Sequence, residues 1–132
     1  MKKKTYLLLF LVIFLASCMP PYTEINLDMR LEMASENMNI LPHNAIQPEP
    51  GRHFFNQGSL ITINAQELEN HEFIKWTITP NYVQENTYNI FSKEYTFSIV
   101  RNKEIVAYYG CKTDNACNEG YTCTEENMCV EA

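Results

Sequence analysis

The sequence predicts a mainly β protein: a small antiparallel β module, sandwich or β-grasp-like, with a signal helix before it and a small disulfide-braced tail after it. Three observations carry this expectation. From Glu24 to Ala34, the apolar residues Ile25, Leu27, Met29, Leu31 and Met33 alternate strictly with Glu24, Asn26, Asp28, Arg30 and Glu32. Period two puts all five on one face of a strand, whereas a helix needs spacings of three and four. The apolar segments that follow are short, β-branched or aromatic, and separated by turn residues. Finally, Cys111, Cys117, Cys123 and Cys129 close the chain with five residues between each and the next. So short a tail cannot bury a core and needs cross-links to hold one shape.

The first element is not part of the fold. Lys2, Lys3 and Lys4 lead into an unbroken apolar run from Tyr6 to Ala16. Eleven helical residues reach only about 16 Å, half a hydrocarbon core, so the run fits an export signal better than a membrane span. The order Leu15-Ala16-Ser17-Cys18 resembles the lipobox of bacterial lipoproteins. That resemblance implies a signal peptide over residues 1–17 and a mature chain beginning at Cys18. It also implies that the Cys18 thiol carries the lipid (diacylglycerol, with palmitate as the expected acyl group) that anchors the protein to the membrane. Pro20 and Pro21 exclude regular structure and make 18–23 a short tether. Met19 stands where enteric lipoproteins kept at the inner membrane have aspartate, so the same resemblance implies the outer membrane.

Without residues 1–17 the chain has 115 residues, enough for one core, and its formal charge moves from −6 to −9 with the loss of three lysines. An acidic surface repels phosphate backbones and anionic headgroups, which argues against nucleic-acid binding and against docking on lipid by charge. Attachment then rests on the lipid, and stable anchoring needs more than one acyl chain. Five cysteines would leave an odd thiol in an oxidising compartment; assigning Cys18 to lipid leaves four for two bridges.

After the first strand, Pro42 to Gly58 is dense in Pro and Gly and leaves room for only a short strand near Ala45 to Gln47, then turns. Ser59 to Ala65 is a second clear strand and Glu72 to Ile78 a third. Thr79 to Ser92 is expected as a long loop. Glu94 to Val100 and Glu104 to Tyr109 are expected as a hairpin around Arg101, Asn102 and Lys103. A three-residue loop aligns Phe97 and Ile99 with Ile105, Ala107 and Tyr109 on one face. Residues 24–110 thus form the β domain and 111–132 the cysteine-rich tail.

Within that domain, Ile46, Pro48, Pro50-Gly51, Phe54 or Phe55, Gly58, the Ile61 to Ala65 strand, Phe73, Trp76, the Tyr95 to Ile99 strand and Val106 to Tyr109 follow one another in a characteristic order. This order resembles the divergent bacterial repeat domain related to the B-repeats of internalin-type surface proteins, over roughly Tyr22 to Tyr109. Asn70-His71 and Gln66-Glu67 depart from the family's glycine-tyrosine and small-residue-proline turns. The resemblance implies a helix-poor module associated with adhesion or spacing and not with catalysis. A single copy is a weak stalk. The tail resembles the small cysteine-rich segments that end many bacterial envelope lipoproteins and is similar to Dickkopf-type or growth-factor-like knots. Four cysteines allow three pairings, of which the interleaved one, Cys111 with Cys123 and Cys117 with Cys129, is the expectation. Zinc is the rival use, but structural zinc sites bring ligands in closer pairs.

No motif assigns a catalytic residue, a cofactor or a metal. His43, His53 and His71 lie far apart; Glu67, Glu69 and Glu72 read as a solvated edge; Asp114, Asn115, Asn118 and Glu119 read as turn residues. Phe73, Trp76, Phe97 and Tyr109 are expected in the core. Tyr82, Tyr88 and Phe91 fall in the polar loop and form a candidate binding patch for a protein or glycan, against the alternative that they fold back over an open end of the sheet. The functional expectation is a lipid-anchored, non-enzymatic surface binding or adhesion module of the cell envelope. The alternative is a periplasm-facing structural or scaffold protein.

Overall fold

The structure, a computed structural model, describes residues 23–132. The signal peptide, Cys18 and nearly all of the tether lie outside these residues.

Ten strands form two sheets around one core and a two-stranded ribbon in the tail. They are β1 (Glu24–Met33), β2 (Ile46–Gln47), β3 (Gly51–Asn56), β4 (Leu60–Ala65), β5 (His71–Pro80), β6 (Tyr88–Ile90), β7 (Glu94–Ser98), β8 (Lys103–Cys111), β9 (Tyr121–Cys123) and β10 (Cys129–Glu131). The larger sheet runs β3-β1-β8-β5-β6 and the smaller one β2-β4-β7. All pairings are antiparallel except β1 with β8, which is parallel.

Alternation along β1 turns its apolar residues to one face, of which only the first three are buried. Ile25, Leu27 and Met29 of β1 are buried, while Leu31 is only half-buried and Met33 is exposed. From the larger sheet, Phe73, Trp76 and Ile78 of β5 and Ile105, Ala107 and Tyr109 of β8 join them in the core. From the smaller sheet come Ile46, Ile61, Ile63 and Ala65, so the two apolar faces meet as a sandwich. Trp76 is fully buried and its indole N–H donates to the Ser92 carbonyl at 3.0 Å. The fully buried Tyr109 shares its one hydroxyl hydrogen between the carbonyls of Gln66 at 2.8 Å and Ala45 at 3.1 Å, tying the sheet to the residues just after β4 and just before β2. In β5, a bulge at Phe73/Lys75 inserts Ile74, which keeps both Phe73 and Trp76 inward.

The expected hairpin between residues 94 and 109 is not formed. β7 pairs with β4 in the small sheet, Ile61 opposite Phe97, while β8 lies in the middle of the large sheet between β1 and β5. Ile99 is fully buried where the chain crosses from one sheet to the other, exchanging backbone hydrogen bonds with Gly58 and Ser59. The residues expected on one face do share one core, but Ile105, Ala107 and Tyr109 belong to the opposite sheet from Phe97. The physical reason lies in β8, where Ile105, Val106 and Ala107 are buried in succession. A strand covered this fully takes a neighbour on each side, and one hairpin partner does not suffice. Phe97 is half-buried, stacked on Tyr95, with the buried Lys103 ammonium 4.5 Å above its ring.

Two further strands lie where turns and loop were expected. β3 begins at Gly51, whose φ of 135° suits glycine, and pairs with β1 from Glu24 to Met29. β6 lies inside the expected loop and pairs with Trp76 to Ile78 of β5.

The tail carries the interleaved disulfides Cys111–Cys123 and Cys117–Cys129. It packs through Cys111, Ala116, Cys117 and Cys129 against Met38 as a small second core. Asn39 donates its backbone N–H to the Ala116 carbonyl and its side-chain amide to the Asn115 carbonyl, and Ser35 shares hydrogen bonds with Cys129.

Candidate functional site

β1 has ten residues, but β3 covers only part of its outer edge. Pairing ends where Met29 meets Gly51, whereas β8 continues along the other side as far as Met33. Pro48 and Pro50 precede Gly51 and prevent the β3 chain from extending the ladder. Arg30 to Met33 is therefore an open sheet edge.

A groove of about 380 Å³ runs along this edge, lined by Met29 to Met33, Ile40, Leu41, His43 and Pro50. Its walls are mostly apolar: Leu31 half-buried, Met33 42 % exposed and Ile40 90 % exposed. The groove exists because the small sheet covers the inner face of β1 only as far as Met29, and the chain after Met33 bends away to meet the tail.

The charges beside the groove are uneven. Arg30 reaches Glu32 at 2.7 Å and Glu104 at 3.7 Å, so one guanidinium is shared by two carboxylates on the outer face. The next pair along β1 is Asp28 with Arg52 of β3 at 2.9 Å. The Arg52 hydrogen bond, reinforced by one from Tyr82, holds the Asp28 carboxyl below its ordinary value against the opposing effect of partial burial.

Tyr82, Tyr88 and Phe91 occupy three different settings. Tyr82, at a left-handed φ of 59°, reaches across the outer face to Asp28. Tyr88 lies on β6 opposite Ile78; burial and then the neighbouring Tyr95 push its phenol above the ordinary value. Phe91 is 70 % exposed just after β6. The groove on β1 lay beyond sequence reasoning because its outer wall is defined by where β3 stops. The one available signal was Ile40, an apolar residue in a segment without periodicity.

The histidines are separate. His53 touches the Glu49 carbonyl at 2.7 Å, His43 lines the groove, and His71 is half-buried with its Nε2 buried and unpartnered. Burial lowers the His71 pKa and so favours the neutral ring. Glu67 is an exposed carboxylate near Lys93 and Lys112, and Glu72 also approaches Lys112. Asp114 accepts hydrogen bonds from the Cys123 backbone N–H and the Thr122 hydroxyl, each at 2.8 Å, which makes it a turn clamp. The sulfurs of Cys111, Cys117 and Cys129 lie close together, but all four tail cysteines are consumed in disulfides and offer no thiolate to a metal.

The fold and site define a two-sheet β module with a disulfide-closed tail and an open apolar groove at one sheet edge. Compared with family models, curated proteins and solved structures, the chain matched none.

Proposed function

We propose that this chain is an exported envelope lipoprotein, held by lipid on Cys18, and that its β module is a non-enzymatic surface binding or adhesion module. The anchor rests on the resemblance of Leu15-Ala16-Ser17-Cys18 to a lipobox and on the four remaining cysteines being paired with none left over. The binding role is carried by one observation, the position of the groove on β1. From Glu24 to Arg30 the extended strand covers about 20 Å, so the groove sits at the far end of β1 from the residues that lead back to Cys18. A lipid at Cys18 would leave the groove about 20 Å along β1 from the anchored end of the strand, within reach of a protein partner.

Protease treatment of intact cells, with lysed cells as control, tests the placement. Digestion without lysis is the expected result and supports adhesion at the surface. Protection until lysis would replace that reading with a periplasm-facing scaffold.

A further inference from the structure

The open edge of β1 has a defined hydrogen-bonding parity. Asn26 donates its amide toward the Asn102 side chain beside β8, and Ala34 donates to the Tyr109 carbonyl of β8. Thr23 instead accepts from Gln57, on the β3 side. Even-numbered residues of β1 therefore point their backbone groups at β8 and odd-numbered ones at β3. Ile25, Leu27 and Met29 meet β3, but Leu31 and Met33 point their N–H and C=O groups off the edge where β3 has ended. Among the described residues no hydrogen bond reaches them. The side chains of the same two residues line the groove.

We infer that this edge takes an extended peptide of a partner protein as an added strand, antiparallel to β1 and continuing the position of β3. The inference rests on the binding half of the proposal above and is independent of the lipid anchor. Backbone groups of Leu31 and Met33 supply the ladder, and the groove beside them supplies pockets for alternate side chains. A peptide residue directly opposite Leu31 or Met33 turns its side chain to the same face, against Ile40, Leu41 and Pro50. The residue between them lies across from Glu32 on the outer face, where Arg30 is divided between Glu32 and Glu104 and leaves excess negative charge. The favoured segment is thus apolar-basic-apolar.

A second copy of this chain fits less well. Pairing Leu31 with its own symmetry mate places Met33 of that copy opposite Met29, where Gly51 already sits. A two-fold at Glu32 sets two glutamates directly across from each other, which is destabilising.

The test uses the full chain purified in detergent and blocked pentapeptides of the form acetyl-Thr-X-Lys-X-Thr-amide, with X being Val, Ile, Leu or Phe. Binding is read by NMR titration, with hydrogen exchange at the Leu31 and Met33 amides. The expected result is saturable binding that slows exchange at both amides. N-methylation of the two X residues, whose amides face β1, should weaken binding at least about tenfold, while N-methylation of the Lys residue should not. Met33→Pro removes the edge-facing donor together with a side chain of the groove wall, at an edge position that tolerates proline, and should weaken binding more than Met33→Ala, which removes the side chain and keeps the donor. Leu60→Ser, an exposed site on the small sheet, should leave it unchanged. No binding by any peptide at millimolar concentration, or binding indifferent to the position of N-methylation, would overturn the inference. A free Cys18 thiol would remove the anchor and leave this result standing.

Discussion

Tyr82 donates its phenolic hydrogen to Asp28 Oδ2 at 2.5 Å, joining residues 54 positions apart across the outer face of the larger sheet. The bond draws the turn after β5 over β8 to β1, and with Arg52 it gives Asp28 two hydrogen-bonded partners. Tyr82→Phe should lower stability by about 1 kcal/mol or less, because the pair is largely exposed. NMR titration of Asp28 checks the network directly. Its pKa should rise in Tyr82→Phe and rise further in Arg52→Gln, since the Arg52 hydrogen bond is the larger cause of its depression.

Tyr109→Phe removes the hydroxyl donated to the Gln66 carbonyl and, more weakly, to the Ala45 carbonyl, which also accepts the Gln66 backbone N–H at 2.7 Å. With the ring fully buried, the expected cost is about 1–3 kcal/mol, measured by urea unfolding.

The pH dependence follows from the same groups. Burial raises the Tyr109 pKa to about 12 from the ordinary 10.0. A raised folded-state pKa contributes stability that is complete below 10 and lost as pH climbs toward 12. On the acid side, the depressed Asp28 and Asp114 contribute stability above their unfolded value of 3.8 that is lost as pH falls through their folded values. His71, whose pKa burial lowers from 6.5, acts in the same direction, because the unfolded chain takes up its proton first. Unfolding midpoints should therefore be highest between about pH 6.5 and 10 and decline on both sides. His71→Gln should flatten the decline just below pH 6.5.

Gly110 is one of the points where the β module packs closely on the tail. A Cβ there would meet the Asn127 carbonyl oxygen and lie 2.7 Å from Asn127 Cβ. Gly110→Ala should cost about 1–3 kcal/mol and loosen the tail, read as faster reduction of its disulfides and proteolysis after residue 111. The paired change Cys117→Ser with Cys129→Ser, which opens a loop of 12-residue separation, should cost about 3 kcal/mol.

Much of this architecture is legible in the residues. Strict alternation located β1, and β-branched and aromatic density located β4 and β5. Elimination gave the tail two bridges, and the interleaved pairing is the one formed. β3 was hidden because its short, largely exposed segment, with only Phe55 turned to the core, sits among the breakers Pro48, Pro50 and Gly58. β7 and β8 read as a hairpin because a three-residue loop of Arg101, Asn102 and Lys103 aligns their apolar residues on one face, and only the burial of Ile105, Val106 and Ala107 in succession betrays β8 as a central strand. The groove was legible only through Ile40, since it arises from the unequal lengths of two paired strands.

Export and lipid anchoring are tested by mass spectrometry of the N-terminal peptide of the protein recovered from the cell envelope, after metabolic labelling with a palmitate analogue. The expected result is a mature chain that begins at Cys18 with lipid on its thiol, and no label in Cys18→Ala. An N-terminus at any other residue, or a free Cys18 thiol in envelope-bound protein, would contradict it.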